Sequence, residues 1–131
     1  GATLLHLCVE FDELEIARWL LSRGMPVDAP ASTDSDGFGG HSALFNAVVC
    51  YANFWDNFFD NDNDSPFAKL LLENGANPNA RASLREHVLT DDVVTIREHR
   101  DITALEWGKR FHNRIVVSKP AMRRIAARGG E

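Results

Sequence analysis

The chain has 131 residues, 44% of them hydrophobic, and the expectation is one globular domain. No run of about 18 uninterrupted apolar residues occurs, so no membrane span is expected. The formal net charge of −5 hides a gradient: residues 1–80 carry 3 Lys and Arg against 12 Asp and Glu, whereas residues 81–131 carry 11 against 7. A dipolar chain of this kind suits charged partners or head-to-tail stacking. The basic half is interspersed with Asp91, Asp92, Glu98 and Asp101 and holds no recognisable motif, which argues against nucleic acid as a partner.

The first predicted helix opens at Thr3 and runs through Leu4, Leu5, His6 and Leu7. The second carries Leu14, Ala17, Trp19, Leu20 and Leu21, a mixture of helical spacing and apolar run that suits packing on more than one side. Gly24 follows, where a left-handed cap would end the helix. The link from Pro30 to Gly40 is rich in Ser, Asp and Gly and reads as a flexible loop. Its Gly37-Phe38-Gly39-Gly40 lacks the Lys and spacing of a phosphate loop and is taken as a turn.

The third helix opens at Ser42-Ala43-Leu44. Tyr51, Phe54, Trp55, Phe58 and Phe59 crowd the segment after it. Phe54 and Phe58, and Trp55 and Phe59, recur at helical spacing, so a prolonged helix packing its rings on its neighbours is expected. An exposed patch is the alternative. Asp60-Asn61-Asp62-Asn63-Asp64-Ser65 alternates oxygen ligands like the front half of a calcium loop. Its sixth position is Ser65 and its twelfth Leu71, where such a loop needs Gly and Glu, so no metal is expected. A solvated loop capping the next helix, with Pro66 in the first turn, is the reading.

That helix ends at a second glycine, Gly75. Further on, two β-branched stretches flank Thr90-Asp91-Asp92 and predict a hairpin. The last helix pair opens at Thr103 and again at Ser118, with Pro120 behind it. Arg114, Arg123, Arg124 and Arg128 give this pair a polar end, whereas Leu4, Leu7, Phe11 and Leu14 leave an apolar edge at the other. With no initiator Met and no leader of basic and then apolar residues, the chain reads as part of a longer one.

One phrase occurs twice. Leu70 through Ala80 (LLLENGANPNA) echoes Trp19 through Ala29 (WLLSRGMPVDA), each an apolar helix end, a glycine, and a polar turn ending in Ala. Together with Thr3-Leu4-Leu5-His6-Leu7-Cys8-Val9, this resembles the ankyrin repeat family. Three units follow, at about 1–36, 37–80 and 81–131, with insertions in the second and third. In the third, Glu106 stands at the family's histidine position and Trp107 at a position usually small.

The resemblance implies an all-α ankyrin-repeat solenoid of helix-turn-helix units with an enlarged β-hairpin finger. Leu5, Leu20, Leu21, Leu44, Leu71 and Leu105 would hold its core, and His6 would take the family's structural role. It further implies a non-catalytic module that binds a protein partner through its concave face and finger loops. The residues expected to meet that partner are Phe11, Phe38, His41, Tyr51, Trp55, His87, His99, Arg110, Phe111 and His112. No catalytic residue, metal or cofactor is expected, nor a membrane or nucleic-acid partner. Self-association through the apolar N-terminal edge is the further possibility. A cytoplasmic location suits Cys8 and Cys50 as buried thiols. The competing reading is a small enzyme or metal-binding protein, its His and Asp side chains gathered in a pocket walled by the two insertions.

Overall fold

The computed structural model describes residues 2–61 and 64–131. Seven α-helices and one hairpin follow in order: α1 (Leu4–Glu10), α2 (Leu14–Ser22), α3 (Ala43–Val48), α4 (Ala52–Phe58), α5 (Pro66–Glu73), β1 (Arg81–Thr90), β2 (Val93–Thr103), α6 (Ala104–Arg110) and α7 (Lys119–Ala127). A 3-10 turn, Arg114–Val116, joins the last two helices. The expectation of an all-α chain is therefore corrected: a two-stranded antiparallel sheet of ten- and eleven-residue strands is part of the fold. None of the described helices is long and apolar enough to cross a membrane.

Helix starts follow from capping chemistry. Thr3 caps α1, its hydroxyl accepting from the His6 N–H while the His6 ring answers the Thr3 backbone. Thr103 and Glu106 build the same reciprocal box on α6, so the Glu in the histidine position keeps the cap by another route. Ser118 caps α7 through the Ala121 N–H. Gly24 and Gly75 follow α2 and α5 at φ of 91° and 88°, the left-handed region that an L side chain avoids.

The helices pack in two rows. α1 lies on α3 and α3 on α6; α2 lies on α5 and α5 on α7; each α1/α2, α3/α5 and α6/α7 pair also packs within itself. The fully buried side chains at these seams are Leu5, Val9, Leu44, Phe45, Val48, Leu71, Ile102, Val117 and Ile125. Each aliphatic one contributes roughly 1.5–3 kcal/mol by leaving water. Leu105 belongs to this core, but Leu20 and Leu21 are only partly buried and pack against its outside. Close approach of α6 to α3 and α7 requires Gly108: a Cβ there would stand 2.6 Å from Val48 Cγ1 and 2.8 Å from Met122 Sδ.

The hairpin turns through Asp91 and Asp92, both at positive φ (50° and 64°), the geometry of a tight two-residue turn whose twist matches the strands. It leans on α6. His99 meets the Trp107 ring edge-on at 5.4 Å, and the backbone N–H of His112 donates to Glu86. The buried Glu86 carboxylate also pairs with His99 Nε2 at 3.1 Å.

The 30–40 link differs from a flexible loop. Gly39 bridges both Thr33 and Ser83 of the hairpin. Asp34 accepts from the N–H groups of Asp36 and Phe38, and Arg85 reaches across to Asp34 and Asp36. Phe38 is buried against the Arg85 and Arg100 guanidiniums, 4.0 and 4.3 Å from its centroid.

Candidate partner-binding groove

Helix α4 is the insertion between α3 and α5, and it is fastened on one side only. The Asn57 side-chain amide donates to the carbonyls of Ile115 and Val117 at 2.7 and 2.8 Å. That of Asn53, one turn earlier, donates to Val116 at 3.1 Å and sits near the carbonyls of Ala47 and Val48. The helical spacing of the rings is as expected, but their packing on neighbouring units is not. Tyr51, Trp55, Phe58 and Phe59 remain exposed, and the rings stack on one another instead: Phe54 on Phe58 at 5.6 Å, Trp55 on Phe59 at 5.8 Å. Four large rings left in water are the mark of an interaction surface rather than of a core.

A groove runs past α4 along the C-terminal ends of α1, α3 and α6. It consists of three adjoining clefts. The first, about 380 Å³, lies between the end of α1, α4 and the start of α5, with Phe11 and Trp55 among its walls. Glu10 and Cys50 are shared with the second, about 280 Å³, which adds Tyr51, His87, Trp107 and Phe111. Tyr51, His87 and Phe111 then lead into the third, about 510 Å³, under the hairpin, where His112 also lies. The structure thus brings Phe11, Trp55, Tyr51, His87, Phe111 and His112 to one continuous surface.

The other expected partner residues are engaged elsewhere. Phe38 and His99 are buried, as described above. Arg110 is exposed on α6 and pairs with Glu106 at 2.9 Å, one helical turn away. His41 sits at the seam between the first two helix pairs, edge-on to His6 at 5.1 Å and to Phe45 at 6.2 Å. His6 Nδ1 faces the Thr3 N–H, so it is Nε2–H of His6 that donates to the His41 carbonyl at 2.8 Å. Burial, with the His6 ring adding to it, holds the His41 imidazole down to about 4. Burial lowers His6 as well.

Cys8 and Cys50 are both free and buried. Burial, assisted by Glu10, pushes the Cys50 thiol up to about 11, so at neutral pH it is not a nucleophile. The side chains that a pocketed enzyme would need have separate partners: His41 with His6, His99 with Glu86, Asp36 with Arg85, Asp101 with Arg81. Among the described residues no group of three or more His, Cys, Asp or Glu side chains is placed to hold a metal ion. The calcium-like run at 60–65 includes Asp62 and Asn63, which lie outside the described residues.

Sequence reasoning missed the role of Asn53 and Asn57. Their one-turn spacing was a signal, since two amides on one helix face, opposite the rings, can fasten that face to backbone.

The ankyrin repeat family model matches residues 1–33. These residues form an ankyrin repeat. The repeat spans α1, α2 and the start of the pinned link, and its His6 makes the bond that ties it to the next helix pair. No curated protein matches the chain, nor does any solved structure. Ankyrin repeats are in general protein–protein interaction modules.

Proposed function

We propose that the chain is an ankyrin solenoid of three units, about 1–36, 37–80 and 81–131, acting as a non-catalytic binding module for a protein partner. The groove along the helix ends, together with the aromatic face of α4, is its binding surface. The observation that carries the reading is the exposure of Phe11, Tyr51 and Trp55, at 71, 80 and 61%, beside a groove that reaches the hairpin. Large aromatic anchors next to a preformed concavity are where binding energy concentrates at interfaces. The hairpin takes the place of an ordinary finger loop and closes one end of the groove. Buried, unpaired Cys8 and Cys50 accord with a reducing compartment, and the proposal includes a cytoplasmic location.

Affinity capture with the intact protein and with a Tyr51→Ser, Trp55→Ser double variant tests this. Both rings are exposed, so the variant should keep its helical circular dichroism. A protein retained by the parent and lost by the folded variant is the expected result. An identical set of retained proteins would refute the surface.

A further inference from the structure

We infer that the α4 end of the groove accepts a cationic apolar segment of a partner protein: an Arg or Lys side chain beside an aliphatic or aromatic one. The inference rests on the reading of the chain as a protein-binding module and adds the chemistry of what it binds. The cleft between the end of α1, α4 and the start of α5 has apolar walls at Phe11, Trp55 and Phe67, and carboxylates at Glu10, Asp12 and Asp56. Lys, Arg and His are absent from the residues lining it.

Nothing within the chain neutralises that charge. The ion pairs among the described residues all lie elsewhere, and neither Glu10 nor Asp12 takes part in one. The acidic half of the sequence has only Arg18, Arg23 and Lys69 as cations. Arg18 faces Glu15, Arg23 lies over Trp19, and Lys69 lies in a separate cleft beside α7. Glu10 is held in place by the Asn46 amide at 2.6 Å, and α4 is held by its asparagines, so the carboxylates and the Trp55 ring are presented in a fixed arrangement. A guanidinium or ammonium entering here meets opposite charge at the rim and an aromatic face at the wall. Its apolar neighbour covers Phe11 and Trp55. An acidic segment, or an anionic membrane surface, would instead meet like charge.

Three peptides distinguish the possibilities: a Leu-Arg repeat, a Leu-Glu repeat and a Ser-Arg repeat, each titrated into the intact protein and followed by backbone amide shifts and tryptophan fluorescence. The Leu-Arg peptide should shift the amides of residues 9–12 and 52–56. Its affinity should fall about tenfold with Trp55→Ala, and by a similar factor with Asp12→Asn and Asp56→Asn together, as for anchors at an interface centre. The two control peptides should bind about tenfold more weakly or not at all. The inference is overturned if the Leu-Arg peptide leaves those amides unmoved, if the Leu-Glu peptide binds as well, or if the carboxamide variant binds unchanged. Trp55-dependent binding to phosphatidylserine vesicles, or a dimer dissolved by Trp55→Ala, would also overturn it by supplying a different occupant. A captured protein that depends on Trp55 but offers no Arg or Lys at the contact would sink this inference and leave the binding-module reading standing. Absence of any Trp55-dependent partner would sink the module reading itself.

Discussion

Acidification should weaken this fold at the seam between its first two helix pairs, above the range in which carboxylates titrate. His41 is held down to about 4 from an ordinary 6.5, chiefly by burial. Its Nδ1 is buried with no hydrogen-bond partner among the described residues, and the His6 ring stands beside it. The unfolded chain therefore binds a proton that the folded chain refuses. The stability that neutral His41 allows is complete above pH 6.5, falls as the pH drops below 6.5, and is exhausted once the pH passes below about 4. The whole interval corresponds to roughly 3 kcal/mol at 1.36 kcal/mol per pH unit. By pH 5 about 2 kcal/mol of it is gone, or about 1–2 after allowing for the solvent that still reaches the ring. Urea unfolding at pH 7 and pH 5 measures the loss. His41→Gln should flatten the difference, leaving the smaller part that belongs to His6, which is also lowered by burial. A parent protein equally stable at the two pH values, or a His41 ring titrating near 6.5 by proton NMR, would refute the argument.

Other expectations can be read from the same coordinates. Leu71→Ala removes a side chain with no exposed surface and should cost about 2–5 kcal/mol in urea melts, whereas Leu21→Ala, at the edge of the core, should cost less. Asn57→Ala deletes two short bonds to the 115–117 backbone and should cost about 1–2 kcal/mol, with faster amide exchange confined to α4. Leu4, Leu7, Phe11, Ile16 and Trp19 are exposed at the N-terminal edge, so sedimentation should show association that grows with concentration and is suppressed by Leu7→Lys; a monomer at every concentration would contradict it. Millimolar calcium should leave the melting temperature unchanged, and a rise abolished by Asp60→Asn would reopen the metal reading of the 60–65 run.

The parts of the fold legible in the sequence were those set by local chemistry. Gly24 and Gly75 end their helices because their φ is positive, and a glycine after an apolar run shows this without coordinates. The hairpin was legible because Asp91 and Asp92 tolerate positive φ between β-branched flanks. What remained hidden depends on residues far apart in the chain. Arg85 pins the 30–40 link through Asp34 and Asp36, about fifty positions upstream, and no local pattern announces such a pairing. Phe38 looks like an exposed loop aromatic until two arginines close over it. The α4 rings show the opposite case: periodicity reveals that they share a helix face, but not whether anything in the chain covers that face. For the groove, the individual residues were nameable, whereas their continuity required knowing that three helices end along one line.

The fastening of α4 has a consequence for how this protein can vary. Asn53 and Asn57 grip carbonyl oxygens of residues 115–117 and ignore the side chains there. Any residue that holds the same backbone path can stand at Ile115 without loosening the helix, because every amino acid supplies the same carbonyl. The attachment is thus indifferent to mutation on one side and dependent on two asparagines on the other. Substitutions that reshape the segment's exposed surface can accumulate while the aromatic helix stays where it is.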